Sequence, residues 1–288
     1  MIDLHVHTNK SDGIDSVDEV IEKANKIDLE VISITDHDNI DAYFNLDKEK
    51  FNGKIITGCE FTTSYKNILI EILGYGIDYK KVNKFLSEFY TKKFLEYRDN
   101  ELYEKLKSKI EYLNLTLDIS KLSKKNLSLY KLYLELLKDK NNIIKINENV
   151  FDTYVNFYRK GIYNPNSKLF LNHIEYTPDL KTILDVIHNS GGKAFLAHPY
   201  IYKLSDLYEF LKSLYENNNI DGIECYYTTF TEDETKKLLE FANSKNLLIS
   251  GGTDYHGKKR KGHELGIGNG NLKILKKTIS NWDINYFN

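Results

Sequence analysis

The chain of 288 residues carries 40 Lys and Arg against 42 Asp and Glu, a formal net charge of −2 and a pI near 6.5. That balance argues against broad nucleic-acid affinity, which rests on clustered cations neutralising phosphates. Two cysteines, no basic-then-apolar leader and no apolar run of membrane-spanning length point to the cytoplasm, with no membrane contact and no obligate protein partner expected.

The first apolar run is Ile2-Asp3-Leu4-His5-Val6-His7. Strand side chains alternate faces, so His5 and His7 point the same way and could share a cation, while Leu4 and Val6 point into packing. An HxH pair is weak evidence alone, but the runs that follow repeat the pattern. A helix is expected from Ser16 to Lys26, opening Ser-Val-Asp-Glu like a capping box. Val31 to Ile34 leads into Thr35-Asp36-His37-Asp38, Lys54 to Thr57 leads into Gly58-Cys59-Glu60, and Ile68 to Leu73 contains Glu71. From about Lys80 to Phe170 helical periodicity takes over, through Phe85, Phe89, Phe94, Leu102, Leu106 and Ile110, then Leu127 to Leu137 and Phe151 to Tyr158.

The strand grammar then resumes. A helix from Asp179 to Asn189 ends at Gly191-Gly192, and Lys193 to Ala197 runs into His198-Pro199. A helix from Ser205 to Asn217 precedes Asp221 to Cys225, which carries Glu224. A last helix from Glu232 to Lys245 precedes Leu247 to Gly251, which leads into Thr253-Asp254-Tyr255-His256. Strand followed by helix, repeated, predicts an α/β fold with a parallel barrel, whose reactive groups gather at the C-terminal strand ends. The acidic and histidine candidates fall there.

Taken together, His5-Val6-His7 with Asp12-Gly13, Thr35-Asp36-His37-Asp38, Gly58-Cys59-Glu60, Ile72-Leu73-Gly74-Tyr75, Ala197-His198-Pro199, Asp221-Gly222-Ile223-Glu224 and Gly252-Thr253-Asp254-Tyr255-His256-Gly257 resemble the PHP phosphoesterase family. The order is similar to that of its compact members, which include nucleotide phosphatases and 5'-3' exoribonucleases. The resemblance implies a distorted (β/α)7, TIM-like barrel over 1–78 and 171–288, with 79–170 as a helical insertion capping the site. It implies two or three divalent metal ions: one held by His5, His7, Glu60 and Asp254, a second by Glu60 and His198, and a third by Asp12, His37 and His256. Where the family usually has His before Ile-Leu-Gly, this chain has Glu71, a ligand that adds negative charge and favours a harder ion. Asp12, His37, Asp254 and His256 are implied to be catalytic as well as ligating.

Imidazoles and carboxylates without thiolate suit Mn, Fe or Zn, with Mn the first choice. Such a cluster would lower the pKa of water from about 15.7 to about 7 and neutralise a phosphate. The expected activity is hydrolysis of a small phosphomonoester, a nucleotide among the candidates, or trimming of short RNA or DNA ends. The alternatives are a phosphatase of the histidinol-phosphate type and a non-catalytic metal-binding module.

Arginine occurs only at 98, 159 and 260. Arg98, on a helix, matches a position where the resemblance implies an arginine facing the site, and Arg260, in the basic run Lys258-Lys259-Arg260-Lys261, is the other candidate to grip substrate phosphate. His188 reads as a structural helix residue, and His173 and His263 read as surface residues. Asp36 and Asp38 either orient His37 or ligate, Glu224 is a weak candidate, and Cys59 and Cys225 read as buried free thiols.

Overall fold

A computed structural model of the protein describes residues 1–125 and 127–287. Its eight strands form two sheets. The first is parallel, in the order β1 (Ile2–Val6), β2 (Val31–Ile34) and β3 (Lys54–Ile55). The second contains β4 (Gly58–Tyr65), β5 (Ile68–Tyr75), β6 (Lys193–Leu196), β7 (Gly222–Tyr227) and β8 (Leu248–Gly252) in chain order. β4–β5 and β5–β6 are antiparallel, and β6–β7 and β7–β8 are parallel. Every residue of β1 and of β2 is buried; in β1 the apolar Ile2, Leu4 and Val6 alternate with Asp3 and His5, while β2 is apolar but for Ser33.

The expected closed barrel is not found among the described residues; the fold is mixed α/β with parallel sheet segments. The departure begins at Lys54–Thr57. The strand there stops at Ile55, and Gly58-Cys59-Glu60 opens the next strand instead of following the last one. β4 then returns directly as β5 through Lys66 and Asn67, both with positive φ (50° and 60°), between the paired residues Tyr65 and Ile68. Two left-handed residues between paired strands make the turn whose twist suits a tight hairpin. A hairpin reverses direction without a crossover helix, so the alternation of strand and helix breaks here. Isolated bridges, His37 with Glu60 and Val6 with Tyr255, join the two sheets, and Ile2 and Leu4 of the first pack with Leu73, Tyr75 and Phe195 of the second.

Helix α1 (Val17–Lys26) starts on a reciprocal box between Ser16 and Glu19, as the sequence predicts. α2 (Tyr79–Phe89) buries Val82 and Leu86 in the same apolar core that the sheets form. Beyond it lie α3 (Lys92–Tyr112), α4 (Leu129–Leu136), α5 (Lys140–Ile146) and the short α6 (Tyr154–Asn156), which runs into a π-helical turn, Phe157–Ile162. These build a second core around Leu106, Leu132, Leu136 and Phe157, joined by Leu169, Leu171 and Tyr176. α7 (Leu180–Asn189), α8 (Leu207–Asn217) and α9 (Glu232–Ser244) return to the sheet core, capped by Asp179, Asp206 and Thr231.

Candidate metal centre

Strand period two places His5 and His7 on one face of β1 and its immediate extension, and both are fully buried. β8 lies against them so closely that a Cβ on Gly252 would meet the His5 Cβ and backbone N at 2.4 Å. This approach lets the chain turn through Asp254, at φ 54°, and aim its carboxylate at both imidazoles. Asp254 Oδ1 lies 3.6 Å from His5 Nε2 and 3.3 Å from His7 Nε2. Glu60, on β4, is the hub: its Oε2 is 3.2 Å from His5 Nε2, His7 Nε2 and His37 Nδ1, and its Oε1 is 2.9 Å from His198 Nε2.

At the open end, Asp12 Oδ1 lies 2.9 Å from His256 Nε2 and 3.6 Å from His7 Nδ1. The ligand-type atoms fall into three groups: His7, Asp12, His37 and His256; His5, Glu60 and His198; and His5, His7 and Asp254. Three of the residues that shape them have positive φ without being glycine, namely Asp38 (44°), His198 (24°) and Asp254 (54°). Such conformations cost about 1–3 kcal/mol each and persist where surrounding structure enforces them.

Whether the centre suits divalent ions can be tested on its unpaired atoms. His5 Nε2, both His7 ring nitrogens, His198 Nδ1, His256 Nε2 and Asp12 Oδ1 are buried without a hydrogen-bond partner. Native proteins leave few buried polar atoms unpaired. Here most of them converge on one another from imidazole and carboxylate side chains, the donor set that borderline divalent metals prefer. The residues fit such ions.

Protons compete for the same atoms. Burial opposes charging His7, but hydrogen bonds and charge from Asp254 and Glu60 raise its pKa to about 9. His5 is also pushed well above the usual imidazole range by Glu60, Glu224 and Asp254, against burial. His256 is lowered to about 4 by burial and then by His7, whose ring centroid is 4.2 Å away. Burial raises Glu60 and Asp254, but the surrounding cations outweigh it, and both remain carboxylates well below their ordinary range. Binding a metal here must therefore displace protons.

Tyr227 and Asp3 escaped the sequence reading, and Glu224 was only a weak candidate in it. Glu224 is no bystander: Oε1 accepts from His5 Nδ1 at 3.0 Å and Oε2 from the His198 backbone N–H at 2.8 Å. A carboxylate there fixes the tautomer that leaves His5 Nε2 free for the cluster. Tyr227 donates to Asp254 Oδ2 at 2.6 Å, and Asp3 ties β1 to the loop beyond β8 through Thr253 Oγ1 and the Gly266 N–H. The signal for Asp3 was an aspartate inside an apolar run; strand alternation from Glu224 points to Tyr226, and an irregularity in β7 is what brings Tyr227 to Asp254 instead. Asp36 accepts from the Thr8 backbone and hydroxyl and from Ser11, fixing the loop that presents Asp12. Asp38 accepts from the Thr62 N–H.

Glu71 is the largest difference from the expected ligand set. Its Oε2 is paired with Arg159 Nη2 at 2.5 Å and lies 3.8 Å from His198 Nε2, and it belongs to none of the three groups. Arg98 pairs with Asp99 at 2.8 Å, and Arg260 sits on Asp254 Oδ2. Lys258 and Lys259 are both exposed, but Lys259 donates to the Asp12 carbonyl, so part of the basic run reaches the edge of the centre. A cavity of about 410 Å³ opens from Asp12 and His37 between the sheets and the helical segment, walled by Arg98, Tyr90, Tyr158 and Tyr163. His173, expected at the surface, also lines it and is packed on Tyr163. His263, likewise expected at the surface, is half-buried, donates to the Thr253 carbonyl and packs on Tyr227. His188 pairs with Asp221 at 2.8 Å, a structural role as read. Cys59 and Cys225 are buried and free.

The chain is 25% identical over 264 residues to the 5'-3' exoribonuclease Rnm of Escherichia coli, covering 88% of this chain and 84% of that protein. It is 26% identical over 267 residues to a phosphoribosyl 1,2-cyclic phosphate 1,2-diphosphodiesterase of Eggerthella lenta, covering 89% and 94%. In fold it is similar to an amidohydrolase of Chromobacterium violaceum, with a TM-score of 0.67 at 21% identity over 92% of this chain and 89% of that one. The PHP domain model matches residues 3–163, more than half of the sequence. The chain belongs to the PHP domain family.

Proposed function

We propose that the protein is a metal-dependent phosphoesterase that hydrolyses a nucleotide-like phosphoester or trims a short oligonucleotide from one end. The observation that carries this reading is the continuity between the ligand cluster and the cavity: Asp12 and His37 belong to both. At about 410 Å³ the cavity is within the size range of small-ligand sites. Tyr90, Tyr158 and Tyr163 offer faces on which a base can stack, and Arg98 offers guanidinium donors toward a phosphate. The activities of the Escherichia coli and Eggerthella lenta relatives, an exoribonuclease and a cyclic-phosphate diphosphodiesterase, support the same substrate class.

Divalent ions at His5, His7, Glu60, His198 and Asp254, and at Asp12, His37 and His256, would lower the pKa of a water nucleophile and neutralise phosphate charge. The chain itself supplies orientation. Glu224 takes the His5 Nδ1–H and the Asp254 carbonyl takes the His256 Nδ1–H, so the Nε2 lone pair of each ring faces the cluster. Tyr227 and Arg260 hold Asp254 Oδ2, leaving Oδ1 toward His5 and His7. We read the helical segment, proposed as 79–170, as the cap that excludes water from the cavity. We also read the two sheets as parts of a distorted seven-stranded barrel, Mn as the metal and the cytoplasm as the setting; the two buried free thiols support the last.

The test is product release by Mn-loaded protein from mononucleotides, bisphosphonucleotides, short RNA and histidinol phosphate. Turnover of the nucleotide or RNA substrates is expected. Turnover of histidinol phosphate alone would replace the substrate class, and no turnover of any phosphoester with metal bound would replace the enzyme reading by a metal-binding module.

A further inference from the structure

Glu71 stands on β5 opposite Thr62, on the side of the centre nearest Glu60 and His198. Its charge is already answered. Arg159, on the π-helical turn, reaches in with a side chain only 6% exposed, binding Glu71 through Nη2 and the Leu69 carbonyl through Nη1 at 3.3 Å. The guanidinium lies over the rings of Tyr158 and Tyr202, 5.1 and 4.9 Å from their centroids. Tyr202 is itself fixed, accepting from the Glu71 N–H at 3.0 Å and donating to the Ala197 carbonyl at 2.9 Å. The pair is thus held from both sides and buried.

A guanidinium does not lose its proton in a protein, so the Glu71 carboxylate is permanently matched by a positive charge. A dication between Glu60 and His198 would find the Glu71 carboxylate engaged and its charge offset, since the same Oε2 that lies 3.8 Å from His198 Nε2 is bound to Arg159. Glu60 Oε1 and His198 Nε2 are already 2.9 Å apart, at hydrogen-bonding distance. The remaining groups are complete without Glu71: Asp12, His37, His256 and His7 at the mouth, and His5, His7 and Asp254 with Glu60 inside.

We propose that the Glu71–Arg159 ion pair takes the place of one cation in this centre, so that the chain binds two divalent ions and not three. This rests on the reading of the cluster as a metal centre. It is tested by saturating the whole protein with Mn, removing the excess by gel filtration, and counting Mn per chain by elemental analysis and native mass spectrometry. Two ions are expected for the unaltered chain. Arg159→Met, which frees Glu71, and the double variant Glu71→His with Arg159→Met are each expected to take up a third, with circular dichroism confirming the fold before counting. Three ions in the unaltered chain overturn the proposal, as do folded variants that remain at two. If neither variant folds, the unaltered chain decides: two ions support the proposal and three overturn it. A count of none or one overturns it together with the metal-centre reading, which distinguishes the two failures.

Discussion

The sheet region and the helical segment assemble their functional groups in opposite ways. In the sheets, backbone pairing sets the geometry: His5 and His7 share a face because strands alternate, and Asp254 reaches them because Gly252 admits a close backbone approach. In the helical segment, side chains act at the end of long stems: Arg98 and Arg159 extend from helical turns, and tyrosines line the cavity wall. Backbone-fixed imidazoles leave little freedom for altered chemistry, whereas a helical segment with its own core can change the cavity and still leave the ligands in place. Glu71 and Arg159 join the two regions, one residue from each.

The contrast can be broken most severely at the sheet. Asp254→Asn removes a charge aimed at two imidazoles; with several kcal/mol attributable to the metal centre, turnover should fall on the order of 10³-fold while circular dichroism stays native. His5→Ala is a poorer probe, because it would strand the buried Glu224 without its partner as well as removing a ligand. Unchanged kcat/KM in Asp254→Asn would refute the assignment of that carboxylate.

In the helical core, Leu106 is fully buried, and Leu106→Ala should destabilise by about 2–5 kcal/mol in denaturant unfolding. If the regions are as separate as their cores suggest, the Mn content of the folded variant remains unchanged. Loss of metal in step with stability would show one cooperative unit instead.

Glu224→Gln keeps the shape but removes the charge on His5 Nδ1. An expected 10–100-fold weakening of metal affinity by calorimetric titration would sharpen the claim that sheet residues act through orientation. No change would mean that packing alone holds the ring.

The smallest effect is at His173, which burial holds unprotonated down to about 4. The unfolded chain takes up that proton near 6.5, so between about 6.5 and 4 the unfolded state binds more protons and stability falls as pH falls. His173→Phe should flatten this part of the profile of melting temperature against pH; an unaltered slope would assign the acid sensitivity to carboxylates elsewhere.

Much of this was legible from local pattern. The HxH pair, the capping box at Ser16 and the apolar runs ending at acidic or histidine residues are short-range signals, and short-range geometry carries them into the structure. The Lys66-Asn67 turn was not legible, because it lacks the glycine that usually marks a left-handed hairpin, and with it was missed the antiparallel β4–β5 pair that interrupts the alternation of strand and helix. Arg159 could be counted as one of three arginines, but nothing near it in sequence shows that it meets a residue 88 positions away.

By itself the sequence determined which acidic and histidine residues are candidates to hold a metal, their placement on or just after strands, and the helical character of the segment between Lys80 and Phe170, since each depends on neighbours within a few residues. The tertiary structure alone decided that Glu224 orients His5, that Asp36 fixes the Asp12 loop, and that Glu71 is bound to Arg159. Those contacts join distant parts of the chain, and which distant groups meet is set by how sheets and helices pack, for which no local period exists.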